Sequence, residues 1–351
     1  MSDILDCYPI RYTDGTSLLL GVITEQGKVK KIEYPPYPEL LIFKSKITEF
    51  TDVSTMAFDT GINSRIDFFQ IFLRYSLVVT LEKYLRLELS QFIYRMRSIF
   101  VSWLTVLENL DYLLNILVDL RLKIPYDQLL NVRDSITDYL DDLVRPDPMA
   151  YFFLLGRLKC EPPDSFLENS LRLSAKLIVL LSDSLSSLID NRIIRDRLKH
   201  LFPRPNLESD PLMTRSIRTA VAADSLPITL ENGQMWNGYQ LLILRCQTIL
   251  KSIQTVQQIL NALSLLPQIT NVKYTVRMVK NQFLSHIDSP WGLVGITLRF
   301  SSLKKPIECI VENPFFRIVK NTEEHLRGID LEDLPIAIHL LGLPSNLVNL
   351  C

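Results

Sequence analysis

Residues 62–124 contain neither glycine nor proline, and this stretch restricts the possible folds more than any other. Apolar side chains recur along it at Ile62, Ile66, Phe69, Leu73, Leu77, Leu81 and Tyr84, then at Ile93, Met96, Phe100, Trp103, Leu107, Leu110, Leu114 and Leu117. That three-and-four spacing puts them on one helix face. It predicts two consecutive helices, the second about thirty residues long and so roughly 45 Å from end to end. A helix of that length crosses a whole domain, and the remaining elements must pack around it.

With 351 residues, 47% hydrophobic and 22% charged, the chain can bury a large core and is not disordered. A formal net charge of -1 provides no general field for nucleic acid or an anionic membrane. The longest uncharged run, residues 252–272, is interrupted by Gln254, Gln257, Gln258, Asn261 and Gln268, so no transmembrane helix is expected. The amino terminus has the pattern of neither a signal peptide nor a transit peptide. Cys7, Cys160, Cys246, Cys309 and Cys351 are scattered without a CxxC pair, which points to a reducing compartment. His200, His286, His325 and His339 are equally dispersed, and a metal site built by this chain alone is not expected.

Along the chain, Leu18, Leu20 and Val22 alternate with polar or small residues, Glu25-Gln26-Gly27 supplies a turn, and residues 29–34 return as a second strand. Pro35, Pro36 and Pro38 impose an extended connection. After the two helices, prolines at 146, 148, 162 and 163 break the pattern. Asp164 or Ser165 then caps a helix running to about His200, with Leu167, Leu171, Leu177, Leu181, Leu185 and Leu188 as its stripe. Residues 202–227 read as irregular. A fourth long helix spans about 235–266, with the stripe Trp236, Tyr239, Ile243, Cys246, Ile249, Ile253, Val256, Leu260 and Leu263. Alternation at 272–278, at 294–300 and at 307–311 predicts an antiparallel meander, and a short helix covers 331–341. The class is α+β: about four long helices with small antiparallel β elements near both chain ends. The expected divisions are 1–50 (hairpin and extended region), 51–270 (helical core) and 271–351 (meander and short helix), packed together.

Motif chemistry is sparse. There is no glycine-rich phosphate loop, His-Glu-x-x-His or nucleophile elbow. Asp141-Asp142 reads as a solvated helix end, and Arg192, Arg195 and Arg197 as an exposed basic face near a helix carboxyl end. The residues alone describe a soluble helical domain.

A resemblance covers nearly the whole chain. Arg65-Ile66-Asp67-Phe68 is similar to an Arg-hydrophobic-Asp-aromatic motif, and Thr80-Leu81-Glu82-Lys83-Tyr84-Leu85 to a "Val-Glu-Lys-Leu-Leu" signature. In continuous register, Arg97 falls on an arginine at the head of the second helix, Asp119 on a buried aspartate, Pro125 on a Thr-Pro and Arg133-Asp134 on an Arg-Glu pair. Further on, Ser252-Ile253 with Gln258 and Leu260, Asp288-Ser289-Pro290-Trp291-Gly292 through Gly295, Pro306 and Asn313-Pro314-Phe315-Phe316 follow in the same order. Together these resemble the 49-kDa, quinone-site subunit of respiratory complex I, in the superfamily of nickel-iron hydrogenase large subunits.

The resemblance implies a peripheral-arm subunit of a mitochondrial-type NADH:ubiquinone oxidoreductase, on the matrix side of the inner membrane. Its implied partners are the terminal iron–sulfur-cluster subunit and the membrane-anchoring subunits of the quinone module. The chain itself would bind no cofactor; ubiquinone would occupy a cavity that it lines, and the cluster would lie in the partner. The implied cavity residues are Tyr8, Tyr12, Phe68 and Asp119, with Arg65 beside the partner's cluster.

Both family histidines of His-Pro-x-x-His-Gly are tyrosines here, Tyr8 and Tyr12, and the headgroup tyrosine is Phe68. Phe68 donates nothing, Tyr12 is a poor acid, and Asp119 is expected to lack the histidine it orients in the family. The Arg-x-Gly-Gly motif survives only as Leu154-Leu155-Gly156-Arg157, the family's terminal residues appear as Leu347 to Leu350, and glycine, 11 of 351 residues, falls below the usual ~7%. The alternatives are a non-catalytic scaffold (pseudoenzyme) of the same complex and an unrelated helical interaction protein.

Overall fold

The computed structural model describes residues 6–34, 40–44, 68–144, 153–158, 162–163, 165–202, 237–267, 282–289, 292–301, 306–312, 319 and 326–343. Its first sheet holds three antiparallel strands, β1 (Asp6–Arg11), β2 (Ser17–Glu25) and β3 (Lys28–Glu33), in that order. Leu18, Leu20 and Val22 are buried on its inner face in the period-two pattern of a sheet with one wet side, and Val29 and Ile32 of β3 join them across a register shift at Ile23/Thr24. Gln26 and Gly27, at φ 53° and 76°, form the tight turn whose twist suits a two-residue hairpin. Pro9 lies in β1, an edge strand, where a missing N–H can face outward.

The next strand, β4 (Leu40–Lys44), belongs to a second sheet. It pairs antiparallel with β9 (Pro306–Glu312), which continues through β8 (Gly292–Phe300) to β7 (Gln282–Ser289). The meander is therefore a four-stranded sheet closed by a strand from the other end of the chain. The strand paired with β8 is 282–289; the alternation at 272–278 lies outside the described residues, as do 35–39.

The core helix is α2 (Gln91–Asp119), preceded by α1 (Phe68–Leu85). Ser90 caps α2, its Oγ accepting from the Ile93 N–H at 3.2 Å. Ile93, Met96, Phe100, Trp103, Leu107, Leu110, Leu114 and Leu117 are all buried. This helix is long and apolar enough to cross a membrane, but 72% of its most apolar window is buried inside the protein. Its apolarity serves the core. On α1, Tyr84 stacks on Phe300 of β8 at 4.5 Å and tilts against Phe283 of β7 at 5.5 Å, which seats the helix on the second sheet.

The chain turns after Asp119, with Arg121 in the left-handed region (φ 57°) and the Leu122 N–H donating to Leu117 O at 2.9 Å. Pro125 thus does not close α2. It lies in the first turn of an additional long helix, α3 (Lys123–Val144), where a missing N–H costs nothing. After the short hairpin β5 (Phe153–Leu154) and β6 (Arg157–Leu158) comes α4 (Phe166–Asp190). The helix expected to reach His200 breaks at Asn191, whose side chain accepts from the N–H groups of Ile193 and Ile194 and starts α5 (Arg192–Leu198). Consequently Arg192 opens a separate short helix, and Arg197 turns inward to Asp333 at 2.7 Å. The last long helix, α6 (Gly238–Leu263), begins with a capping box of Asn237 and Gln240. It packs along α2 on one side and α4 on the other. A 3₁₀ turn (Leu331–Asp333) leads into α7 (Leu334–Leu341), which also packs on α2.

Candidate functional site

Two polar clusters join residues that the motifs hold far apart. In the first, Glu82 of α1 and Arg97 of α2 form a buried bidentate pair, with Arg97 Nη1 and Nη2 at 2.6 and 2.9 Å from the two carboxylate oxygens. Arg97 Nη2 also donates to Leu154 O (2.6 Å) and Arg157 O (3.2 Å), while the Gly156 N–H donates to Glu82 Oε1 at 2.8 Å. Three motifs quoted above, around residues 82, 97 and 154–157, therefore meet in one knot. Both side chains are at most 5% exposed, and the pair ties α1, α2 and the β5–β6 hairpin together as a structural clip.

The second cluster lies where α2 ends. Asp119 is the last residue of α2; Tyr8 is in β1 and Tyr12 follows it. Thr13 N–H donates to Asn115 Oδ1, one turn before Asp119, at 2.7 Å, tying the β1–β2 connection to the helix. Tyr12 donates its hydroxyl proton to Leu343 O at 2.7 Å. Phe68 is the first residue of α1, but its side chain and all of Arg65 lie outside the described residues.

Asp119 does not lack a histidine. His339 of α7 points its Nε2 at Asp119 Oδ2, 3.4 Å away, and its ring meets the Tyr12 ring edge-on at 4.7 Å. The imidazole comes from the opposite end of the chain from the segment where the resemblance places one. It is wholly buried, and neither ring nitrogen nor Asp119 Oδ2 has a hydrogen bond of ordinary geometry. Sequence offered one local signal, a single titratable residue in the apolar run Ile-Ala-Ile-His-Leu-Leu; its pairing with Asp119 is purely tertiary.

Around them, three donors hold the end of α7. Arg245 of α6 donates to Leu340 O from Nη2 (2.7 Å) and Nε (3.2 Å), Tyr112 of α2 donates to Gly342 O (2.8 Å), and Tyr12 holds Leu343 O. The Arg245 guanidinium also lies over the Tyr112 ring, 4.3 Å from its centre. Loss of one such bond is measurable: Tyr12→Phe is expected to cost about 1–2 kcal/mol in denaturant unfolding, because Leu343 O is left without its donor.

Burial raises the Asp119 carboxyl to about 7 against the pull of Arg197, and pushes the His339 imidazole down to about 3 although the Arg11 backbone acts the other way. Burial also raises the phenols of Tyr8 and Tyr12, with Asp119 adding to both. The consequences for stability have opposite signs. From about pH 4 to 6.5 the folded chain keeps a proton on Asp119 that the unfolded chain has lost and lacks one on His339 that the unfolded chain holds, so the two effects offset. Between about 6.5 and 7 the Asp119 difference alone remains and stability falls as pH rises; below about 4 the His339 difference alone remains and stability falls with pH. Asp119→Asn, which stays neutral, is expected to gain about 1–2 kcal/mol on the parent between about pH 5 and pH 8, after allowance for partial exposure. Thermal melts at the two pH values check this, and equal differences at both would contradict it.

Among the described residues no group of three or more His, Cys, Asp or Glu stands close enough to hold a metal ion. Cys246 and Cys309 are buried thiols, both pushed up to about 12, chiefly by burial.

No protein-family model matches this sequence, and no curated protein matches it. Among solved structures, a chain of the membrane-bound sulfane sulfur reductase, an archaeal respiratory membrane complex, shares the fold. The TM-score is 0.76 over 98% of this chain and 98% of that chain, at 12% identity. At that identity the likeness is one of fold.

Proposed function

We propose that this chain is a divergent quinone-module subunit of a respiratory NADH:quinone oxidoreductase, a counterpart of the 49-kDa subunit of complex I. In this reading it sits on the matrix side of the mitochondrial inner membrane, within a membrane complex. It packs against the subunit bearing the terminal iron–sulfur cluster and against the membrane-anchoring subunits of the quinone module. Tyr8, Tyr12, Phe68 and Asp119 line a cavity for ubiquinone, and Arg65 lies beside the partner's cluster. The supporting observation is the end-to-end likeness of fold to a chain of an archaeal respiratory membrane complex. The meeting of Glu82, Arg97 and residues 154–157 in one buried knot agrees with the colinear motifs.

Affinity capture of the tagged chain from native membranes in mild detergent tests this reading. It should bring down a multi-subunit membrane complex containing iron–sulfur proteins; recovery of a free monomer would contradict it. A second reading, a scaffold subunit of the same complex that no longer handles quinone, is favoured by the Tyr12 hydroxyl, which is engaged by Leu343 O, and by the ring without a hydroxyl at Phe68. NADH-driven quinone reduction that a quinone-site inhibitor blocks separates the two.

A further inference from the structure

We propose that a row of side chains along α1, Tyr75, Val79 and Lys83, together with Arg86, Tyr94 and Arg95 at the α1–α2 corner, docks an acidic segment of a partner protein that carries apolar anchors. This surface lies at the opposite end of α2 from Asp119, and the proposal stands apart from the quinone reading.

Between residues 71 and 85, every side chain of α1 is buried except Tyr75, Val79 and Lys83. Their four-residue spacing makes one open line along the helix. Tyr75 and Val79 are half-buried, so the line is recessed where the β5–β6 hairpin flanks it, and the Tyr75 ring tilts against Phe153 at 4.9 Å. Lys83 is exposed at the end of the line. Tyr94 joins it from α2. Its side chain is 61% exposed. Burial raises the Tyr75 phenol against the pull of Arg97, and Tyr94 adds to the rise, so the two tyrosines stand within electrostatic reach of each other. An exposed tyrosine beside cations is the composition enriched at the anchoring points of protein interfaces.

The corner supplies the charge. At the end of α1 the Leu87 N–H donates to Glu82 O at 2.9 Å and the Arg86 N–H to Lys83 O at 3.3 Å, the paired bonds of a helix end that closes through a left-handed residue. Arg86, at φ 52°, holds the position where glycine is the unstrained choice. An exposed guanidinium thus stands where folding alone favours a glycine. Among the described residues, Lys83, Arg86 and Arg95 make no ion pair or side-chain hydrogen bond, and Glu88 is the one exposed acid beside them. Three uncompensated cations against one carboxylate specify a partner of negative charge. A bilayer surface does not reach side chains recessed beside a hairpin. A two-fold contact with a second copy would set these cations against their own kind. A segment that places apolar side chains on the α1 row and carboxylates against Lys83, Arg86 and Arg95 meets both conditions.

Photoreactive benzoylphenylalanine in place of Tyr94, in the full chain within its native complex, tests the proposal, because illumination cross-links whatever covers the corner and peptide mapping identifies it. The expected product joins this chain to one partner segment in which Asp and Glu outnumber Lys and Arg, with a yield that falls as salt is raised. Lys83→Glu combined with Arg86→Glu should reduce the yield by about tenfold or more; an unchanged yield would overturn the inference. Arg86→Gly should reduce it several-fold while the thermal midpoint of the purified chain stays level or rises, since the left-handed position is relieved of its side chain. A midpoint that falls would assign Arg86 to the fold and overturn the inference. So would a product with lipid, with a second copy of this chain, or with a segment that has no acidic excess. An absent product in a complex that retains its iron–sulfur proteins would overturn this inference and leave the respiratory reading standing. The expected product in a chain that captures no respiratory partners would count against the respiratory reading alone.

Discussion

Glu82→Ala is expected to destabilise the protein by about 3–5 kcal/mol in denaturant unfolding, the range for removing one partner of a buried ion pair. Arg97 would remain 2% exposed with no carboxylate beside it, and the Gly156 N–H would lose its acceptor at 2.8 Å. Arg97→Ala should cost a similar amount, since it strands Glu82 and releases Leu154 O and Arg157 O. The double variant should cost less than the sum, as expected for residues in one network. Replacing the pair with apolar side chains should not restore full stability, because three backbone groups of the β5–β6 hairpin, Leu154 O, Arg157 O and Gly156 N–H, would lose their contacts with the pair. Strict additivity would show that the two side chains do not act as a clip.

Gly342→Ala is expected to cost about 3 kcal/mol or more, combining two separate effects. The residue closes α7 in the left-handed region, at φ 75° and ψ 35°, where a side chain is strained by roughly 1–2 kcal/mol. An added Cβ would also lie 2.7 Å from Arg245 Nη2, the atom that donates to Leu340 O. The guanidinium must shift, weakening a charge-assisted bond worth about 1.5–3 kcal/mol. Gly27→Ala is the control. Its φ is 76° with nothing within 4 Å of the added atom, so only the strain of about 1–2 kcal/mol is expected. Equal losses at the two positions would mean that the contact with Arg245 carries no weight.

Local pattern was enough for the elements whose burial follows their own period. The alternation of Leu18, Leu20 and Val22 became β2, the stripe from Ile93 to Leu117 became α2, and Val294, Ile296 and Leu298 became the buried face of β8. It did not suffice for α3. The stripe Leu129, Val132, Ile136, Leu140 and Leu143 has good helical spacing and is buried, but Pro125 reads equally as a stop or a start. Only the turn at Arg121 decides between them. The partner of β4 was also hidden, because pairing with β9 spans nearly the whole chain and depends on where the helices bring the two ends. At the candidate site, Tyr8, Tyr12 and Asp119 were named through resemblance, and the fold brings them to the end of α2. His339 was noted only as one of four scattered histidines, and Tyr112 and Arg245 were not named. Each reaches the cluster across more than a hundred residues of sequence or from another helix, and no spacing rule connects them.

The most direct measurement is light-driven labelling of the native membrane complex with a photoreactive ubiquinone analogue, followed by peptide mapping of this chain. Label is expected on peptides containing Tyr8 to Thr13 or Tyr112 to Leu120, and excess ubiquinone should compete it away. An assembled complex that reduces quinone while this chain takes no competable label would contradict a quinone cavity at this site.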